Sequence, residues 1–141
     1  MPYIAYPIKA KVRPGDSLAA NVSVDGFAVR LQLQNRTRHW TVTKNLSSEA
    51  PDTSSAEWIV EAPMACVRYQ CTQSRLANFG SVSITNVAVG TTSTSGALTD
   101  SSWSLVAIRL ASADPVAAPG AVPGPVSADG QGFSVLWSPP G

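Results

Sequence analysis

The chain has 141 residues, enough for one domain with a hydrophobic core and too few for two of ordinary size. Apolar residues make up 44% of it, which excludes a disordered tail, whereas charged residues make up only 13%, roughly half the usual share. The net charge is +1 and the arginines are scattered, so we expect neither nucleic acid nor a membrane as a partner.

Hydrophobic residues alternate with a period of two along most of the chain, and no window has the period of a helix. This pattern predicts strands over 3–12, 17–24, 27–34, 39–43, 56–61, 79–89, 103–110 and 133–137. The first strands are separated by the turn sequences R-P-G-D, D-G and N-R-T. Many strands without a helix predict an all-β fold, either an antiparallel sandwich or an open barrel.

The remaining segments are predicted loops. Residues 45–55 are polar, 91–102 are rich in Ser, Thr and Gly, and 111–132 are rich in Ala, Pro and Gly. The last of these has the composition of an interdomain linker, but only one short strand follows it, too little for a second domain. We therefore expect a single domain over 1–141 with a flexible loop at about 111–132.

The two cysteines, Cys66 and Cys71, stand in the sequence C-V-R-Y-Q-C. Their spacing and the composition favour a small disulfide loop, with free thiols as the main alternative. A structural zinc site would need two further ligands, and His39 is the only histidine. No phosphate-binding loop or dinucleotide fingerprint is present, so we predict no metal and no cofactor.

The composition also bears on localisation, because low charge with many Ser, Thr, Gly, Pro and Ala residues suits a secreted β protein. Sequons at Asn21, Asn35 and Asn45 weakly favour export as well. No signal peptide is visible, since Met1 leads directly into P-Y-I-A-Y-P. A cytosolic protein, or a chain that lacks its true beginning, would explain that start.

Nucleophilic catalysis finds little support in the sequence. A Ser-His-Asp triad would need His39, which lies in a predicted strand with no G-x-S-x-G motif nearby. We interpret His39 as a half-exposed strand residue. Pairing of the two cysteines would leave no thiol nucleophile, so carboxylates are the remaining candidates.

The segment S-S-A-E-W-I-V-E-A-P, residues 54–63, holds two of the three glutamates in the chain. On a strand, Glu57, Ile59 and Glu61 share one face, while Trp58 and Val60 point to the other. Four residues at about 3.4 Å each separate the Cα atoms of the glutamates by roughly 13–14 Å, whereas paired glycosidase carboxylates lie about 5 to 9.5 Å apart. The two glutamates are therefore not each other's catalytic partner, and a solvated charge is the plain alternative for each.

This decapeptide resembles the active-site strand of the glutamic peptidases, the G1 or eqolisin family of acid endopeptidases. The segments K-V-R-P-G-D, L-Q-L-Q-N-R-T, L-A-N-F-G-S-V and D-G-Q-G-F-S-V-L-W are similar to flanking parts of that family, so the resemblance covers most of residues 6–137. It implies a concanavalin A-like sandwich of two curved antiparallel sheets, here incomplete, with a polypeptide substrate lying across the concave face.

The resemblance also implies site residues. The catalytic glutamate of the family corresponds to Glu61, and Glu57 would be a supporting or substrate-facing neighbour. Tyr3 and Tyr6 resemble the end of an aromatic motif of the family and would likewise face substrate or support the site. A short disulfide between Cys66 and Cys71 would suit the family.

The family's catalytic pair is completed by a glutamine on an upstream strand, and here the sequence departs from the pattern. None of the glutamines of the chain stands in the matching context: Gln32, Gln34, Gln70, Gln73 and Gln131. We therefore expect a truncated acid endopeptidase domain. The alternatives are a non-catalytic lectin-like sandwich that binds peptide or carbohydrate on its concave face, and a degenerate chain whose exposed sheet edges favour self-association.

Overall fold

The structure, a computed structural model, describes residues 8–62, 64–67, 70–110 and 120–139. The chain divides into two compact units, Met1–Ala56 and Glu57–Gly141. The described residues contain no helix, so none that could cross a membrane, and every sheet pairing among them is antiparallel. The all-β prediction is confirmed, while the single domain over 1–141 stays a prediction.

The first unit holds a three-stranded sheet in the order β1-β2-β3. Its strands are β1 (Leu18–Asp25), β2 (Ala28–Asn35) and β3 (Trp40–Ser47). Each overlaps a strand that the alternation predicts, and β3 is longer than predicted because it continues into the polar segment that follows residue 43. The strand predicted over 3–12 is absent from residues 8–12, and its first residues lie outside the described part.

The β1–β2 connection is a tight hairpin turn one residue later than the D-G pair suggests. Asp25 already pairs with Ala28, so the two loop residues are Gly26 and Phe27. Gly26 has φ 54°, and glycine at the first loop position is typical of a type II′ turn, whose twist matches that of the strands. Phe27 therefore lies in the turn with 66% of its surface exposed, and the prediction that it lies on the strand was wrong.

A buried polar network fixes the β2–β3 turn. Asn35 is fully buried; its side-chain amide donates to Asp16 Oδ2 at 2.8 Å, and its Oδ1 accepts the backbone N–H of Arg38 at 2.8 Å. The Nε of Arg38 donates to both carboxylate oxygens of Asp16, at 2.8 and 3.0 Å. Asn35 is thus committed to internal hydrogen bonds, which argues against its role as a glycosylation acceptor. His39, predicted on a strand, lies in this turn with φ 55°.

One face of the β1-β2-β3 sheet is apolar and solvent-exposed. In register, the apolar residues of β1 from residue 20 onward lie opposite apolar residues of β2, and β3 continues this face except at Lys44, which pairs with Leu31. The large side chains on it remain 37% to 66% exposed: Leu18, Val22, Val24, Leu31 and Leu46. A contiguous exposed apolar face of this kind usually marks a surface that another element or molecule covers.

The second unit contains the hydrophobic core. It is built on a sheet of β6 (Ser81–Thr85), β10 (Gly132–Ser138) and β9 (Gly120–Val126), in that order, with two small hairpins. One hairpin joins β4 (Met64–Val67) to β5 (Gln70–Gln73), and the other joins β7 (Val89–Gly90) to β8 (Ser95–Gly96). The buried cluster consists of Ala62, Leu76, Ala121 and Val135, with Val60, Phe79, Ile84, Leu110, Phe133 and Trp137 packed against it.

The prediction of a flexible loop at 111–132 was wrong for its second half, because Gly120–Val126 forms strand β9. Prolines hid this strand, since they cannot donate to a ladder. Pro123 lies opposite Val135, and a register shift between Phe133 and Val135 marks a bulge in the pairing with β10. On the side of β9 away from β10, Ala121 pairs with Leu110, and no other residue of β9 pairs with a described residue there. Strand β9 is therefore an edge strand, and a sheet edge tolerates proline. Residues 111–119 lie outside the described residues.

Three other strand predictions need correction. The segment 56–61 joins no described sheet. The strand predicted over 103–110 is reduced to one bridge at Leu110, and that predicted over 79–89 is interrupted at Asn86, which has φ 55°. In each case the alternation was present, but the part of the chain that the structure describes lacks the continuous ladder hydrogen bonds that define a strand.

Candidate active site

The segment that carries Glu57 and Glu61 alternates in burial as the sequence predicts, although it is not part of a described strand. Trp58 and Val60 are half-buried, whereas Glu57, Ile59 and Glu61 are exposed. This alternation in burial is the one that extended backbone produces, whether or not it pairs in a sheet. Both glutamate side chains are exposed.

Glu61 stands between two core residues. Ala62 is a member of the buried cluster with 8% of its surface exposed, and Val60 packs against the same cluster. Burial of these neighbours fixes the backbone on both sides of Glu61, while its carboxylate remains accessible to water and to a ligand. The Glu61 carboxylate is thus accessible on a segment whose neighbouring residues are anchored in the core.

The other site residues predicted from the sequence are placed differently. Tyr3 and Tyr6 lie outside the described residues. Cys66 and Cys71 are directly opposite each other in the β4–β5 hairpin, and Cys71 is disulfide-bonded. Glu57 lies on the same side of its segment as Glu61. Among the described residues no group of three or more His, Cys, Asp or Glu side chains could hold a metal ion.

The electrostatics of the turns are set by four aspartates whose carboxyl pKa values are lowered. In Asp52 and Asp100 the cause is the hydrogen bonds from the residue two positions later, Ser54 and Ser102. In Asp129, the Ser127 hydroxyl and the Gln131 backbone N–H lower the pKa. These carboxylates therefore stay charged at lower pH than free aspartate does, and they continue to accept the hydrogen bonds that hold the turns.

Asp16 has a lowered pKa for a combination of reasons. Partial desolvation of its carboxylate, which is only 2% exposed, acts to raise the pKa. The hydrogen bonds from the Arg13 backbone N–H, Asn35 and Arg38, together with the charge of Arg38, outweigh desolvation and lower it from 3.8. The carboxylate is therefore stabilised in its charged form by the network that holds the β2–β3 turn.

Sequence inspection missed a second feature, a cleft of about 410 Å³ in the first unit. It is lined by residues that precede β1 and by residues at the start of β3: Lys9, Ala10, Lys11, Arg13, Arg38, Trp40, Thr41 and Val42. The cationic residues come from two separate parts of the chain, so the sequence alone presents them as scattered. Only the pairing of β1, β2 and β3 brings them together.

The antiparallel all-β fold and the motif S-S-A-E-W-I-V-E-A-P agree with the resemblance to the glutamic peptidase class. The sequence profile of the peptidase A4 family matches residues 1–118, and the chain belongs to that family. No curated protein matches the chain significantly.

Among solved structures, the chain is similar to aspergilloglutamic peptidase from Aspergillus niger. The two share 22% sequence identity with a TM-score of 0.63, over 92% of this chain and 70% of that one. At this identity the likeness shows the fold, which is the antiparallel β-sandwich of the family, as predicted.

The Asp16 network predicts a specific dependence of stability on pH. Because the pKa of Asp16 is lower in the folded than in the unfolded chain, its stabilising effect is full above about 3.8 and is lost as the pH falls through the folded-state pKa. We expect Asp16→Asn to unfold at lower urea concentration than the wild type at neutral pH, and the difference to shrink below pH 3.8.

The measurement is urea unfolding followed by tryptophan fluorescence across this pH range. The Asp25→Asn variant removes the same charge from an exposed residue of the first unit and gives the background. If the difference in unfolding midpoint between Asp16→Asn and the wild type stays constant with pH, the stabilising role of the charged Asp16 is contradicted.

Proposed function

We propose that this domain is a glutamic-type acid endopeptidase that hydrolyses peptide bonds with Glu61 as its general base. The observation that carries the proposal is the accessible Glu61 carboxylate between two core-packed neighbours, within a domain of the peptidase A4 family. Glu57, on the same side of the segment, is proposed to support Glu61 or to face substrate.

In the proposed reaction, Glu61 takes a proton from a water molecule as the water oxygen attacks the scissile carbonyl carbon. The carbonyl oxygen becomes an oxyanion that a glutamine side-chain amide stabilises by hydrogen bonding, a contribution worth about 2.7–4 kcal/mol in comparable sites. Glu61 then transfers the proton to the leaving nitrogen as the C–N bond breaks. No glutamine of this chain is assigned the second role, and the chain on its own is expected to be a weak enzyme.

One observation supports an extracellular setting. The disulfide at Cys71 fits an oxidising compartment. We therefore propose secretion, and recovery of the disulfide-bonded chain from the culture medium of its source cells tests it. A chain found only inside the cells, with reduced thiols, would contradict the proposal.

The direct test of function is hydrolysis of an unfolded protein at acid pH by the wild type and by Glu61→Gln. Since a positioned general base contributes about 10²–10⁴-fold, the variant should lose at least about a hundredfold in rate. Glu49→Gln is the matched control, because Glu49 is the remaining glutamate, is exposed and lies in the other unit.

Equal rates for wild type and Glu61→Gln would refute the role of Glu61. Binding of peptide or of a glycan by the wild type without any hydrolysis would support the alternative, a non-catalytic lectin-like sandwich. Melting curves for all variants show whether a loss of rate follows from a loss of fold.

We also propose that the chain self-associates through the sheet of the first unit. Its outer strands, β1 and β3, each leave one edge unpaired among the described residues, and the adjoining apolar face exposes Val22 at 66%. A second copy of the chain could add to such an edge.

Val22→Lys places a charge on the outer strand without disturbing a buried site, so it should shift the chain from dimer to monomer. Sedimentation velocity at several protein concentrations measures this shift. A wild type that stays monomeric at every concentration would overturn the proposal.

A further inference from the structure

The cleft in the first unit has an unbalanced set of polar groups. Four of its lining residues are cationic, Lys9, Lys11, Arg13 and Arg38, and none of its lining residues is acidic. The carboxylate that pairs with Arg38, that of Asp16, is only 2% exposed. Among the described residues, Arg38 is the only one of the four in an ion pair. The cleft therefore presents an excess of positive charge to a ligand.

The lining also contains a hydrogen-bond donor without an acceptor. Trp40 lines the cleft, and its indole N–H is buried without a hydrogen-bond partner among the described residues. Burying an unsatisfied donor costs about 1–3 kcal/mol, so such a group usually has a partner in the functional state of a protein. The indole N–H of Trp40 is thus an unsatisfied donor on a residue that lines the cleft.

The size of the cleft suits a small part of a larger ligand. A volume of about 410 Å³ is at the lower end of the range for ligand pockets. Its lining comes from the segment that contains Lys9 and Arg13, from Arg38 in the β2–β3 turn, and from the start of β3, an outer strand of its sheet. A cleft of this size can hold a short stretch of chain that carries acidic side chains.

We propose that this cleft binds acidic segments of polypeptides, with the carboxylates held by Lys9, Lys11, Arg13 and Arg38. Polypeptide is favoured over nucleic acid because the net charge of the chain is only +1, without the broad basic surface of nucleic-acid-binding proteins. The lining also has a single aromatic residue, Trp40, and not the series on which successive bases stack. The proposal is independent of the role of Glu61.

The test uses a fluorescently labelled oligoglutamate peptide and anisotropy at neutral pH, where its side chains are ionised. We expect saturable binding at about 50 mM salt that weakens at about 300 mM, because salt screens exposed charges. Oligoglutamine of the same length should not bind. Failure of oligoglutamate to bind at low salt would overturn the proposal.

The variant that tests the site is the triple substitution Lys9→Gln, Lys11→Gln and Arg13→Gln. Arg38 is left in place because it holds Asp16. Loss of three exposed ionic contacts should weaken binding roughly tenfold or more.

The matched control is Arg30→Gln, Arg36→Gln and Arg75→Gln, which removes the same charge from exposed residues that do not line the cleft. If both triple variants weaken binding equally, the peptide is attracted by the net charge of the protein, and the proposal of a binding site in the cleft is refuted. If a single-stranded oligonucleotide of equal charge binds more tightly than oligoglutamate, the partner class is wrong.

Discussion

The burial of Val60 and Ala62 in the core of the second unit is the constraint on which the candidate active site depends. Ala62 packs with Leu76, Ala121 and Val135, and these residues come from distant parts of the sequence. Glu61, which stands between these two neighbours, is exposed, as alternation along the segment predicts. The accessible position of the carboxylate thus follows from core packing and does not require ladder hydrogen bonds in its own segment.

The two units are held by different kinds of interaction. The second has a hydrophobic cluster, whereas the only fully buried side chain described in the first is the polar Asn35. Its hydrogen bonds to Asp16 and to the backbone of Arg38 hold the β2–β3 turn and the segment before β1 together. The same network brings Arg38 to the cleft in which we place an anionic ligand. The hydrogen bonds that stabilise the β2–β3 turn therefore also position Arg38 for the proposed binding of an anionic ligand.

The sequence predicted those features that depend on local pattern. Alternation located β1, β2 and β10 and the burial of Trp58 and Val60, and the decapeptide around Glu61 identified the family. Prediction from the sequence failed where contacts between distant segments determine the structure. Strand β9 tolerates Pro123 because of its position at a sheet edge beside a bulge, and Lys9 and Arg38 meet only after the hairpins form. The positive φ of Asn86 likewise divides a segment whose alternation looks continuous.

The central claim is that the Glu61 carboxylate meets the reacting centre of a bound peptide. It is tested most directly by carboxyl ¹³C NMR during titration with a peptide analogue whose scissile carbonyl is replaced by a stable tetrahedral centre. The Glu61 resonance, assigned from its absence in Glu61→Gln, should shift as the analogue binds, whereas that of Glu49 should not. Saturable binding of the analogue with an unchanged Glu61 resonance would contradict the account.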